Sequence, residues 1–382
     1  MVIGYDAKRA FQNNTGLGNY SRMVVCGVAS HYRDFQAFLY APKLAGYYQN
    51  YFSSYANIST HQPHGWDRFV PNLWRGFGIA MHLKNDGVQI FHGLSHELPH
   101  RIPASIKTVV TMHDLIAWRY PEYFSHVDAK IHQRKQLHSC RIADVVVAVS
   151  EQTKRDLIDI MHVPEEKIRV IYQSCDAQFW QPIQQDDLEY VRETYCLPQR
   201  YIIAVGTIEE RKNQIALVEA LKKLPSDVQL VLVGHPHGNY IEKLRSVLRD
   251  EEMVHRVMIL DHADFEDFPA LYANAVCSAY VSHFEGFGIP ILESMCCDTP
   301  VLTSNTSSMP EVGGDAVLYA DPNNVDQIAQ QLQRLLDDEE LRKELVEKGR
   351  AQRQKFSQKK SSADFYNLYS EMLSDDNGSA NL

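Results

Sequence analysis

The chain has 382 residues, 45% of them hydrophobic and 23% charged, with a formal net charge of −10. That length suits two domains of ordinary size and the composition is globular. No apolar run approaches the roughly 18–20 residues that cross a bilayer, and the segment "MVIGYDAKRA" lacks the long apolar core of a signal peptide. Seven cysteines are scattered with no zinc-ligand spacing, which points to reduced thiols and a cytoplasmic setting. The charge is uneven: residues 1–185 carry a net +4 and the remainder a net −14. Solvated acidic helices such as "DDEELRKELVEKG" account for the second figure most simply, and separate partners for the two halves are the alternative.

In chain order, short apolar runs alternate with helical patterns. The first half has "MVIGYD", "AFLYAP", "VQIFHGL", "KTVVTMHD", "DVVVAVS" and "KIRVIYQ". The second has "YIIAVGT", "VQLVLVGH", "VMILDHA", "AVCSAYVS", "PVLTSN" and "AVLYAD". Runs of this kind suit strands covered on both faces of a parallel sheet, and the alternation suits βαβ units. The expected fold class is therefore α/β, with two doubly wound Rossmann-like domains. The expected division is 1–185 and 186–356, with a helix at about 357–376 returning to the first domain and a polar, frayed tail from Ser374.

Ligands of such sheets bind outside the carboxyl ends of the strands, so the residues that follow each strand come first. Gly16 and Gly18 stand in "NNTGLGNYSR", read as a loop before a helix. Its amides suit a diphosphate, and a plain flexible loop is an equal reading. Residues 64–87 bring Trp66, Phe69, Leu73, Trp74 and Phe77 together with Arg68, Arg75 and Lys84. This is the pattern of a helix packed beside "VQIFHGL", or else of an interfacial helix on an anionic membrane. His113 follows the strand "KTVVTM" and is expected at the cleft between the domains, within reach of a sugar hydroxyl, although a lone histidine is more often a structural residue.

In the second half, Gly206 and Thr207 end the strand "YIIAV". Arg211 and Lys212 follow as adjacent cations able to grip a pyrophosphate, unless "EERK" is only a solvated loop. "HFEGFGIPILESM" then offers Glu285, Gly286, Phe287, Gly288 and Glu293. The glycines let backbone approach a ligand, and Pro290 marks the first turn of a helix whose amides favour phosphate. Carboxylates do not bind phosphate, but they accept hydrogen bonds from vicinal hydroxyls. A sugar next to a phosphate, a nucleotide-sugar, satisfies both halves of the motif.

These strings together resemble the retaining glycosyltransferases of family 4, which have the GT-B fold of two Rossmann-like domains facing a central cleft. The resemblance covers nearly the whole chain. Its most specific part is the E-x7-E motif "EGFGIPILE", joined by "TGLGNYSR", "TMHDLIAWRYPEYF", "VVVAVSEQTKRDL", "VGTIEERKN" and "SSMPEVGGDAVLYADP". "GTIEERKN" and "HDLIAWRYPE" are most similar to the mannosyltransferase-like branch, associated with bacterial surface polysaccharides.

The resemblance implies that the second domain binds the donor. Glu285 would contact the transferred sugar and Glu293 the ribose. Arg211 and Lys212 would hold the diphosphate with the amides of Gly286–Gly288, and His113 would stand beside the donor sugar. The first domain would bind a glycan or lipid-linked acceptor, with possible peripheral contact on the inner face of the membrane. GDP-mannose is the implied donor, and no cofactor or metal is expected. Many members carry an arginine where Thr207 stands here, which leaves the equivalence of Arg211 open. Three other classes are weighed. A nicotinamide dehydrogenase lacks its third glycine in both loops, a GT-B-like epimerase lacks an acid–base set, and an inactive scaffold would tend to lose Glu285 or the Arg211–Lys212 pair.

Overall fold

The computed structural model of the protein describes residues 1–44, 46–249 and 251–379. The chain divides into two compact units, Met1–Ser174 with the segment from Phe356 onward, and Cys175–Lys355. The boundary thus falls before Cys175 rather than after residue 185. The intervening residues go with the second unit because Phe179 is fully buried there, its ring centroid 5.9 Å from Phe265 and 6.2 Å from Tyr272.

The first unit is a seven-stranded parallel sheet in the order β3-β2-β1-β4-β5-β6-β7. Its strands are β1 (Val2–Asp6), β2 (Gln36–Tyr40), β3 (Ile58–His61), β4 (Ile90–Gly93), β5 (Lys107–Met112), β6 (Val145–Ala148) and β7 (Ile168–Val170). The second unit is a six-stranded parallel sheet in the order β10-β9-β8-β11-β12-β13. Its strands are β8 (Tyr201–Val205), β9 (Gln229–Val233), β10 (Val257–Leu260), β11 (Cys277–Tyr280), β12 (Val301–Ser304) and β13 (Leu318–Ala320). Each apolar run singled out in the sequence holds one of these strands. β3 is the addition: "ISTH" is a polar edge strand that buries little, so it carries no apolar signal. In both sheets the order reverses beside the first strand, between β1 and β4 and between β8 and β11. These reversals open crevices at the carboxyl ends.

Three helical segments differ from expectation. The segment around Gly16 is not a loop, since the helix Gly16–His31 begins at that residue. The run 64–87 is broken into a 3₁₀ turn Gly65–Phe69, a short helix Pro71–Leu73, a π-turn Trp74–Gly78 and a helix Ile79–Asn85. Only Trp74 among its large aromatics is buried; Trp66 is 88% exposed and Phe69 79%. The last helix, Gln358–Ser379, is longer than expected and runs through the polar tail from Ser374. The tail's final three positions, 380–382, lie outside the described residues.

That last helix is bound to the first unit by half-buried and buried groups. Tyr366 stacks on Tyr32 with centroids 3.7 Å apart. The Tyr369 hydroxyl lies 2.7 Å from His92 Nδ1 and 3.2 Å from the Tyr5 hydroxyl. Gly27 faces the same helix so closely that a Cβ there would stand 2.3 Å from Ser362 Oγ. Gly27→Val is therefore expected to overpack this contact and cost about 1–3 kcal/mol, read as a lower melting temperature of the purified chain.

Candidate functional site

In the second unit, the residues that follow β8 and β11 meet at the switch point. Gly206 leaves β8 with φ = 141°, a conformation that suits glycine, and its amide donates to Val233 O at 2.9 Å. A 3₁₀ turn, Glu210–Lys212, then carries Arg211 and Lys212. Both reach Glu285 from the loop after β11: Arg211 Nη1 is 2.6 Å and Lys212 Nζ 2.8 Å from the same oxygen, Oε1. Arg211 also donates to Phe284 O at 2.8 Å and to Glu209 at 2.5 Å, and Lys212 donates to the Tyr280 hydroxyl. Thr207 gives its carbonyl to Gln214 Nε2 at 2.9 Å.

Glu285 is only 8% exposed. Burial alone would raise its pKa, but Arg211 and Lys212 outweigh burial and hold the carboxyl at about 2. Burial lowers Lys212, with Arg211 adding to the effect and Glu285 opposing it. Arg211 resists burial because Glu285 and Glu209 raise its pKa. The guanidinium has five N–H donors and the ammonium three, so these partners leave donor capacity for an anion.

The loop after Glu285 is held by two serines. The Glu285 amide donates to Ser307 Oγ at 3.2 Å, and that hydroxyl donates back to the Glu285 carbonyl. Ser308 Oγ donates to the carbonyls of Glu285 at 3.0 Å and Phe287 at 2.8 Å. Gly288, at φ = 108°, caps the helix Ile289–Cys296, which has Pro290 in its first turn as the sequence implies. Gly286, Phe287 and Gly288 are all buried.

Glu293 stands in the second turn of that helix rather than at its start, 6% exposed, and accepts from the Tyr272 hydroxyl at 3.0 Å. Burial pushes its pKa to about 7, and the Tyr272 bond only partly offsets this. Tyr272, Tyr280, Ser307 and Ser308 received no role in the sequence reading. A tyrosine inside an apolar run reads as core, and a serine pair before a helix reads as a cap.

The remaining candidates lie in the first unit. His113 follows β5 and is buried, its Nε2 2.9 Å from Leu94 O and its ring edge-on to Tyr20 at 4.5 Å. Burial, with His96 adding to it, lowers its pKa to about 3, so the ring is neutral at physiological pH. With Nε2–H given to Leu94, Nδ1 is the ring's acceptor. Gly16 has open space where a Cβ would lie, whereas a Cβ on Gly18 would stand 1.8 Å from Asn13 O. Gly18 is thus the glycine this turn requires sterically, and Gly16 leaves a gap on the surface of the first helical turn. Sequence reasoning drew the two together without this distinction.

Two parallel doubly wound sheets, with cations and a buried carboxylate at the switch point of the second, define the GT-B class. The chain aligns over 97% of its length with Anabaena HepE in complex with UDP and glucose, covering 99% of that chain at a TM-score of 0.75 and 18% identity. Residues 16–179 match the family described as Glycosyltransferase Family 4, and residues 196–352 match Glycosyl transferases group 1. The O-antigen chain mannosyltransferase B of Escherichia coli is 33% identical over 285 residues, 73% of this chain and 74% of the relative. The serotype-specific mannosyltransferase WbdA of Escherichia coli is 28% identical over 71% of this chain, which spans about a third (34%) of that longer protein. The chain belongs to glycosyltransferase family 4, in its mannosyltransferase-like branch, and is a glycosyltransferase.

The two glutamates titrate in opposite directions. The Glu293 carboxyl lies above its ordinary 4.5, so its contribution to stability is complete below that pH and is lost as pH rises to about 7. Glu285 lies below 4.5, so its contribution is present above that pH and is lost as pH falls toward about 2. Glu293→Gln should therefore gain on the wild type by roughly 3 kcal/mol between about pH 4.5 and 7.5. Urea denaturation at the two pH values measures the difference.

Proposed function

We propose that this chain is a retaining hexosyltransferase. In this reading it moves mannose from GDP-mannose to a hydroxyl of a glycan or lipid-linked glycan, in surface polysaccharide synthesis. The observation that carries it is the Glu285 carboxylate fixed between Arg211 and Lys212 at a strand-end crevice, beside cations with donor capacity to spare. Glu285 accepts hydrogen bonds from the transferred sugar. Arg211 and Lys212, with the backbone around Gly286–Gly288, take the diphosphate. Glu293 accepts from the ribose hydroxyls, and His113 offers Nδ1 to a sugar hydroxyl.

The bond between the anomeric carbon and the phosphate oxygen breaks, and charge grows on the departing diphosphate, where fixed cations lower the barrier. The acceptor oxygen bonds to the anomeric carbon on the same face. Its proton passes to the leaving phosphate oxygen, so no separate protein base is required. Arg211 and Lys212 supply the positive charge in this scheme, and no residue of the site is assigned to a metal.

A panel of UDP-, GDP-, ADP- and dTDP-sugars tests the donor site by thermal shift. GDP-mannose at about 100 times its Kd should stabilise the wild type by about 2.7 kcal/mol, and Glu293→Ala should lose the effect. If Glu293 accepts from ribose as a carboxylate, nucleotide affinity should rise with pH through about 7 in the wild type and stay flat in Glu293→Gln. Glu285→Gln should lower kcat by about 100-fold or more. Turnover should survive EDTA, and the product's anomeric configuration, read by NMR, should match the donor's. Inversion would sink the retaining assignment.

A cytoplasmic chain that works at the inner face of a membrane fits the exposed strip Trp66, Phe69, Leu73, Phe77 and Met81, accompanied by Arg68 and Lys84. Aromatic and basic residues of this kind suit an anionic lipid surface. Among the described residues no helix is long and apolar enough to cross a membrane. Vesicles containing phosphatidylglycerol should sediment with the wild type and much less with Trp66→Ser/Phe69→Ser. Equal sedimentation would remove the membrane assignment.

A further inference from the structure

The first unit has its own crevice at the switch point between β1 and β4, a cavity of about 450 Å³. Arg75 spans it, donating through Nε to Asp6 Oδ2 at 2.8 Å and through Nη1 to Glu97 Oε2 at 2.7 Å. Lys135 Nζ meets the other Glu97 oxygen at 2.8 Å. Two acids and two bases thus form a closed, neutral frame. Lys8 and Arg134 also line the cavity, and among the described residues neither side chain has an ion-pair partner. They leave a surplus of two positive charges. Burial and then Arg75 lower the Lys8 ammonium pKa, a penalty that an anion in the cavity would offset.

A second cavity, of about 960 Å³, adjoins the first. Phe77 and His100 line both, their rings stacked with centroids 5.0 Å apart. Beyond them Met81, Ile102, Pro103 and Ile106 give it an apolar side, while Lys84, Arg101, Thr108 and Asp144 also line it. Phe77 and Met81 belong at once to this trough and to the exposed apolar strip. A cationic pocket and a trough that reaches an apolar surface therefore share a wall of two stacked rings.

We propose that these two cavities hold one amphiphile. Its phosphate or diphosphate sits between Lys8 and Arg134 over the Arg75 frame, and its hydrocarbon chain lies in the trough past Phe77 and Met81. A double anion matches the surplus charge, and phosphate oxygens match the unpaired guanidinium and ammonium donors. The identification of this amphiphile as the carrier of the sugar acceptor rests on the transferase reading, but the binding site itself does not.

Farnesyl diphosphate, inorganic pyrophosphate and farnesol serve as probes for the full-length protein by titration calorimetry. Farnesyl diphosphate should bind at least about tenfold more tightly than either of the others. Lys8→Gln/Arg134→Gln should weaken it by about tenfold or more with an unchanged melting temperature. Phe77→Ser should weaken farnesyl diphosphate but not pyrophosphate, and an Arg211→Gln protein that keeps a cooperative melt should bind farnesyl diphosphate unchanged. Undiminished binding by the Lys8/Arg134 variant overturns the proposal. So does loss of farnesyl diphosphate binding in folded Arg211→Gln, which would assign the diphosphate to the second unit. Pyrophosphate binding as tightly as farnesyl diphosphate would remove the lipid and leave a phosphate site alone. The nucleotide-sugar thermal shift is read in parallel: its absence from the wild type would undo the transferase reading while the amphiphile measurement stands.

Discussion

A carboxylate buried to the depth of Glu285 is tolerated only when its charge is matched at contact distance. Arg211 and Lys212 supply that match from the turn after β8, while Glu285 itself comes from the loop after β11. Removal of either side would leave an uncompensated buried charge, a loss on the order of 3–5 kcal/mol. The interaction therefore does two things together. It ties the ends of two neighbouring strands across the switch point, and it presents a permanently ionised acceptor flanked by cations. Ser307 and Ser308 keep the backbone of the same loop in place, so that the carboxylate is positioned from both its charged and its main-chain sides.

Both units follow one plan. A parallel sheet reverses its order beside its first strand, and the loops at the reversal carry charged side chains. In the second unit these are Arg211, Lys212 and Glu285; in the first they are Asp6, Lys8, Arg75 and Glu97. The balance differs. The second is a tight cluster in which cations and carboxylates are nearly equal, while the first leaves Lys8 and Arg134 over.

Most of the fold was legible because parallel strands covered on both faces must be apolar throughout. "KTVVTM" and "YIIAV" announce themselves in that way, and "ISTH" does not, since an edge strand needs no such cover. Glu285, Arg211 and Lys212 were legible as residues after strands, but their shared oxygen was not, because loop conformation sets it. Gly16 and Gly18 look alike in sequence, and only the path of the Asn13 carbonyl separates them. The aromatic content of 64–87 was plain. Its exposure was not, because a helical period does not say whether a second surface exists to cover it, and here the segment breaks into turns that leave Trp66 and Phe69 in solvent.

Glu285 and Glu293 show why a motif of two carboxylates is not a statement about two like groups. Eight residues apart and almost equally buried, they differ by several pH units in the proton they hold. The first has two cations at one oxygen. The second has deep burial, a phenol, the opposing charge of Asp176 and a smaller attraction from Lys212. Spacing alone predicts none of this, since the helix that begins at Ile289 carries Glu293 one turn inward from the charged loop. A carboxyl balanced near neutrality is suited to accept hydroxyl donors without the desolvation cost of a permanent charge in the unliganded protein. A carboxylate locked in its ionised form keeps the same polarity across the physiological range. The difference between the two acids thus follows from their neighbours, and a change to Tyr272 or Lys212 acts on the motif through the carboxyls they touch or face.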